Sequence, residues 1–321
     1  MEQAGLTISN LKKYFPITTG FPPRIKNWIK AVDGVSLIIK KGETLGLVGE
    51  SGCGKTTLVN TILRLIEPTS GEVLIDGQNI FLLKKKELSR LREKMQIVFQ
   101  DPFWSLNPRW LVREIVGEPL RVYFKYSEKE FTAKVEKLLE MVGISRYGIN
   151  KYPHEFSGGE RQRIAIARAL ALEPNFVILD EPTSSIDVFS QEKILALLKE
   201  LKKDFNLTYI LISHDLSVVK TMADKIAIMY LGKIVEYGDA NNVFNSPRHP
   251  YSNALFKAIP NESIKDVNSL FALEGEVPSA INIPSGCRFH TRCPLAQDIC
   301  KNKEPNLVEI GDNHQASCLF I

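Results

Sequence analysis

The chain has no uninterrupted apolar run of about 18 residues, so no helix of bilayer-crossing length is written into it. Its first residues, Met1-Glu2-Gln3-Ala4, lack the charged-then-apolar layout of a secretory leader, which makes a cytosolic location the default. Internal repeats and low-complexity tracts are absent. Charge of one sign is also scarce: 41 Lys and Arg against 37 Asp and Glu leave +4, too little to imply a nucleic-acid partner. Lys84-Lys85-Lys86 reads as solvated surface. Only 5 of the 321 residues are cysteine, and they form no C-x₂₋₄-C pair of the kind most structural zinc sites use. With 44% hydrophobic residues, a chain of this length buries a sizeable core.

Against that plain background one segment stands out. Gly49-Glu50-Ser51-Gly52-Cys53-Gly54-Lys55-Thr56 fits the phosphate-binding pattern G-x-x-x-x-G-K-[ST]. Thr44–Val48 before it reads as a buried strand, and Thr57–Ile66 after it reads as a helix. The glycines let successive N–H groups turn inward on anionic oxygens, and the helix N-terminus adds its own donors. Lys55 is expected to reach the outer phosphates of ATP, and the Thr56 hydroxyl to hold Mg²⁺ with Thr57 beside it. No Asn-Lys-x-Asp guanine reader is present, which argues against a switch GTPase.

Three more apolar runs end in groups suited to phosphate chemistry. Gln96–Phe99 leads to Gln100, Phe176–Leu179 to Asp180-Glu181, and Tyr209–Ile212 to Ser213-His214-Asp215. Short, β-branched runs without alternation suit parallel strands covered on both faces, whose ligands bind beyond their carboxyl ends. Asp180 is expected to support Mg²⁺, Glu181 to polarise the attacking water, Gln100 to complete the metal shell and His214 to contact the γ-phosphate. Pro182 has the position of a residue that opens a helix.

Phe156-Ser157-Gly158-Gly159-Glu160-Arg161-Gln162 then precedes an arginine-rich amphipathic pattern through Leu172. This string resembles the signature of ATP-binding-cassette (ABC) ATPases, with Phe156 and Glu160 standing where leucine and glutamine are commoner. The resemblance implies an α/β P-loop NTPase fold of ABC type with an antiparallel β subdomain and a helical subdomain at about 101–172. It further implies that Ser157, Gly158 and Gly159 bind the γ-phosphate held by a second cassette, identical or paralogous. Ser184-Ser185-Ile186-Asp187 matches the family's dimer-contact loop. An aromatic near the N-terminus stacks on adenine in such proteins; register favours Phe15, with Tyr14 as the neighbouring choice. Asp101 to Arg109, carrying Phe103 and Trp104, resembles the segment that meets membrane subunits in importers; packing within the helical subdomain is the competing explanation. ABC ATPases acting on nucleic acid or ribosomes usually fuse two cassettes or insert coiled coils, and neither occurs here.

Beyond residue 245 the composition changes. His249-Pro250-Tyr251, Pro284-Ser285-Gly286-Cys287 and Arg292-Cys293-Pro294-Leu295 resemble the C-terminal extension of oligopeptide and dipeptide importer ATPases. The expected organisation is a nucleotide-binding domain at 1–245 and an extension at 246–321. The resemblance implies a peripheral subunit on the cytoplasmic face of the cell membrane. Its partners would be two multi-span permease subunits and, indirectly, an extracytoplasmic solute-binding protein. The solute is read as an oligopeptide or dipeptide, with a sugar or other small molecule as the alternative. Cys287, Cys293, Cys300 and Cys318 suggest a metal centre, [4Fe–4S] in preference to zinc, with Arg288 and Arg292 offsetting its charge; reduced thiols without metal are the alternative. Cys53 stands apart from these four. Residues 17–30 read as an insertion that interrupts the first strands, with a hairpin tip near the dimer partner as one reading.

Overall fold

The computed structural model describes residues 4–184, 186–257, 275–311 and 313–321. By packing, the chain divides into one unit of Met1–Leu82 with His214–Ile321 and another of Leu83–Ser213.

The first unit opens with β1 (Ala4–Thr19) and β2 (Arg24–Lys40), paired antiparallel along their whole length. Residues 17–30 therefore lengthen the first two strands rather than interrupt them. Ile17, Thr18, Thr19 and Ile25 favour extended backbone, and Gly20 to Pro23 supply the turn. β3 (Thr44–Val48) runs into α1 (Lys55–Ile62), after which β4 (Ser70–Ile75) and β5 (Gln78–Asn79) complete a sheet in the order β2-β1-β4-β5.

The second unit contains α2 (Lys85–Lys94), β6 (Met95–Val98), α3 (Pro102–Ser105), α4 (Val112–Tyr123) and α5 (Glu128–Met141). It continues through α6 (Gly158–Leu170), β7 (Phe176–Asp180), α7 (Val188–Phe205) and β8 (Thr208–Ile212). β7 lies between β6 and β8 and is parallel to both, and all of β8 is buried, as its uninterrupted apolar run requires. Helices α4 and α5 bury Val112, Ile115, Val116, Phe131, Val135 and Leu139 beside α6.

The chain then returns to the first unit with α8 (Leu216–Met222), β9 (Lys225–Tyr230), β10 (Lys233–Asp239) and α9 (Ala240–Asn245). The tail adds α10 (Pro250–Lys257), α11 (Asp298–Asn302), β11 (Val308–Glu309) and β12 (His314–Ala316). β9 is parallel to β3, β10 is antiparallel to β9, and β12 extends that sheet from β10. Tyr251 and Phe289 of the tail are fully buried with Tyr230, Ile228 and Val48, so the extension shares the core of the strand that carries the phosphate loop. Tyr230 and Phe289 meet edge-to-face at 5.3 Å.

The tail is fastened by a buried acid absent from the sequence reading. Glu236 on β10 is fully buried; it accepts the N–H groups of Arg248 at 2.7 Å and His249 at 2.9 Å, and lies 2.7 Å from His314 Nε2. This gathering explains His249-Pro250-Tyr251: His249 Nδ1 in turn accepts the Tyr251 N–H at 3.1 Å, starting the turn into α10. Among the described residues no helix is long and apolar enough to cross a membrane.

Burial lowers the His249 pKa from 6.5 to about 3. Between those values the unfolded chain binds a proton that the folded chain refuses, so this contribution is complete above pH 6.5 and shrinks as pH falls toward 3. Calorimetric melting between about pH 7.5 and 5 should show a falling midpoint whose slope is reduced in His249→Asn. An unchanged slope would show that the imidazole is solvated.

Candidate nucleotide site

The phosphate loop links β3 to α1 by backbone that only glycine tolerates. At Gly54, φ is +113°, and a Cβ there would lie 2.1 Å from the Ala31 carbonyl oxygen. At Gly49 an added Cβ would lie 2.2 Å from the Met229 oxygen and 2.7 Å from Cys53 Sγ, so the Cys53 thiol packs beneath the loop. Burial raises the pKa of that thiol, which keeps it a neutral filler of the loop rather than a thiolate facing phosphate. Lys55 is buried and donates to the carbonyls of Gly49 at 2.6 Å and Glu50 at 3.0 Å. Its ammonium is thus stored against the loop. Gly54 precedes α1 with no side-chain cap, leaving first-turn donors for an anion, while Ser51, Gly52 and Thr56 are exposed and Thr57 is half-buried.

Residues of the second unit meet at the carboxyl ends of β6 and β7. Gln100 Nε2 donates to Glu181 Oε2 at 2.7 Å, bringing together two of the sequence-derived candidates. Asp180, the last residue of β7, is half-buried. Glu181 has φ +47°, a left-handed conformation uncommon outside glycine and costly for a side chain of this size. Its N–H is fixed by the Ile212 carbonyl at 2.9 Å. Pro182 does not open a helix: residues 182–184 form a turn, and α7 starts at Val188 with Asp187 accepting the Ser190 N–H at 2.9 Å. That hydrogen bond holds the Asp187 carboxyl below its usual pKa. Ser185, in the expected dimer-contact loop, lies outside the described residues. His214 is exposed at the start of the chain's return to the first unit.

Ser157 is the N-cap of α6. Its N–H and hydroxyl both donate to Glu160 Oε2, at 2.9 and 2.8 Å, while its Oγ accepts the Glu160 N–H at 3.4 Å. The acid at position 160 therefore closes a capping box and holds the Ser157 hydroxyl, and these bonds lower the Glu160 pKa. Phe156 is buried, which accounts for an apolar residue in its place. Gly158 is exposed, whereas Gly159 is buried, with space for a Cβ only 3.0 Å from Ser190 Cβ; its small size lets α6 approach the Asp187 cap. Phe103 and Trp104 stack edge-to-face at 5.9 Å and are 59% and 84% exposed, so they are surface groups and not staples of the subdomain interior.

Tyr14 and Phe15 occupy consecutive positions on β1, opposite Lys30 and Ile29. The Tyr14 hydroxyl donates to Asp33, and burial and this bond push its pKa up to about 12. Phe15 is half-buried, and the Lys13 ammonium lies 4.9 Å from its ring centre.

Cys287, Cys293, Cys300 and Cys318 line one cavity of about 410 Å³ in the tail. Yet all four are free thiols, and no group of three or more His, Cys, Asp or Glu among the described residues is arranged to hold a metal ion. Burial raises the thiol pKa of Cys287 and Cys293, so in the metal-free protein both are neutral thiols. The expected [4Fe–4S] centre finds no support among the described residues. Nor do the tail arginines face a cluster: Arg288 pairs with Asp33 and Glu304, and Arg292 with Glu50 of the phosphate loop. Asp33 and Glu50 lie 255 and 242 residues from these arginines, out of reach of local sequence patterns.

The arrangement is that of an ATP-hydrolysing cassette. The ABC transporter family model matches residues 32–184, and the model of the oligopeptide/dipeptide transporter C-terminal region matches 235–300. The chain belongs to the ABC transporter ATP-binding proteins, in the group that carries this C-terminal region. It is 48% identical to the oligopeptide transport ATP-binding protein AppF of Bacillus subtilis, over 98% of this chain and 96% of that one. It is 45% identical to the oligopeptide transport ATP-binding protein OppF of Escherichia coli, again over 98% and 96%. Among solved structures, the ATP-binding cassette MJ0796 in a dimeric post-hydrolysis state bound to ADP and Pi matches with a TM-score of 0.65 and 32% identity, covering 73% of this chain and 98% of that one. CbiO1 of Clostridium perfringens, part of the transporter complex cbiONQ, matches with a TM-score of 0.65 and 31% identity, covering 76% and 92%.

Removing the capping carboxylate in Glu160→Ala should lower unfolding free energy by about 1 kcal/mol. Urea titration reads this directly; no change would mean that Ser157 is held without it.

Proposed function

We propose that this chain is the ATPase subunit of an importer for oligopeptides or dipeptides, bound peripherally at the cytoplasmic face of a membrane. Its near-full-length similarity to oligopeptide transport ATP-binding proteins, tail included, carries this reading. Two cassettes close on ATP and part after hydrolysis, and two multi-span permease subunits convert that cycle into alternating access for a solute delivered by an extracytoplasmic binding protein. The exposed Phe103-Trp104 pair suits a contact with a permease.

In this reading Gly49 to Thr57 take the triphosphate and Phe15 takes adenine. Ser157, Gly158, Gly159 and Asp187 serve the nucleotide of the opposing cassette. Lys55 swings from its two carbonyl partners to the outer phosphates. Thr56, Gln100 and Asp180 offer the oxygen donors that Mg²⁺ prefers, and that ion supplies charge neutralisation at the phosphates when bound. Magnesium takes only one or two carboxylates and shares the rest of its shell with water and phosphate, so a complete protein cage is not required. Glu181, oriented by Gln100, accepts the proton of the attacking water, and His214 contacts the γ-phosphate.

Glu181→Gln should bind Mg-ATP yet turn over at least about 100-fold more slowly and accumulate a closed dimer with its partner cassette; full turnover would remove its assigned role. Lys55→Ala should lose nucleotide binding in a fluorescence titration, and retained affinity would count against the phosphate-loop assignment. Purification from membranes should recover multi-span subunits with this chain; recovery of ribosomes instead would favour a different ABC class.

A further inference from the structure

A carboxylate inside an anion-binding loop needs explaining. Glu50 is the second residue of the phosphate loop, and a free negative charge there would oppose the polyanion that the loop's N–H groups attract. The structure answers with the tail. Arg292 Nη1 and Nη2 donate to the two Glu50 carboxylate oxygens at 2.7 and 3.0 Å, a bidentate fork. The Arg292 side chain is only 4% exposed, and that of Glu50 is 22% exposed. Directly alongside, the Glu50 N–H donates to the Tyr251 hydroxyl at 3.0 Å. One tail tyrosine and one tail arginine thus hold both the backbone and the side chain of the same loop residue. Both belong to a rigid packing: Tyr251 is fully buried, its ring lies 4.7 Å from Tyr230, and the Arg292 guanidinium sits 6.0 Å from the Tyr230 ring centre.

We propose that Arg292 and Tyr251 of the C-terminal extension are positioning residues of the ATP site, turning the Glu50 carboxylate away from the phosphates and fixing the loop in its anion-binding form. This rests on the phosphate-loop assignment above. Once Arg292 loses its charge, Glu50 is an uncompensated anion beside the nucleotide and the loop loses one of its anchors. Nucleotide affinity falls even though no residue touching phosphate has changed. A tail that merely packed on the unit would show a different pattern: losing Arg292 would cost stability, and the charge of Glu50 would not matter to ATP.

The test is equilibrium binding of a fluorescent ATP analogue with Mg²⁺ to the full chain, with thermal unfolding followed in parallel. Arg292→Gln should weaken binding about tenfold, equivalent to ~1.4 kcal/mol, whereas Arg292→Lys, which keeps the charge, should lose no more than about threefold. In the double variant Arg292→Gln with Glu50→Gln, affinity should return to within about threefold of wild type, because the repelling charge is gone. Wild-type affinity in Arg292→Gln, or a loss that Glu50→Gln fails to restore, overturns the proposal. If Arg292→Gln does not fold, Tyr251→Phe carries the test, since it keeps the ring and deletes the hydroxyl. An affinity loss of about threefold supports the proposal, and no loss overturns it. Lys55→Ala separates the two readings: if it binds like wild type, the phosphate-loop assignment fails, and if it does not bind, only the positioning role is being judged.

Discussion

Backbone N–H groups carry no net charge, so they hold a polyanion only when the chain is pinned with several of them pointing the same way. That requirement governs much of the first unit. Gly49 and Gly54 give the loop its curvature, and the oxygens of Met229 and Ala31 crowd their α-carbons so closely that no larger residue fits. β3 and β9 run parallel beneath it, and the aromatic cluster of Tyr230, Tyr251 and Phe289 stiffens the side from which the tail approaches. In the second unit Ser157 and Glu160 lock the first turn of α6 in a capping box.

The strands and the phosphate loop were legible in sequence because their information is contiguous. A short apolar run closed by a glycine-rich string or a carboxylate says most of what a buried parallel strand and its site must say. The four runs read as strands agree with β3, β6, β7 and β8 to within about one residue at either end. Residues 17–30 do not interrupt the first strands but form the hairpin tip that was the other reading: Gly20 to Pro23 occupy only the turn, and the flanking Ile and Thr residues continue the ladder. Pro182 likewise looked like a helix start, but it belongs to a turn that leaves Asp187 to begin α7.

What escaped was long-range pairing. Nothing local to Glu236 signals that it will be buried and gather the start of the tail, and nothing near Glu50 announces an arginine 242 residues later. The four tail cysteines are a related case: their crowding in sequence suggested metal ligation, and they do line a common cavity, but no metal-binding group of three or more His, Cys, Asp or Glu is found among the described residues. The neighbouring arginines are committed to Asp33 and Glu50, so the conspicuous chemistry of the tail points toward the nucleotide site.

Because the first unit is assembled from both ends of the polypeptide, its completion is tied to the order of synthesis. Leu83–Ser213 is contiguous and able to collapse as it leaves the ribosome, while β3 must wait for β9, and Glu50 for Arg292. The fork that steadies the loop closes a span of 242 residues, which places its formation among the late, topologically slow events of maturation. A nascent chain halted before residue 292 would carry the whole glycine motif and still lack the clasp that shapes it.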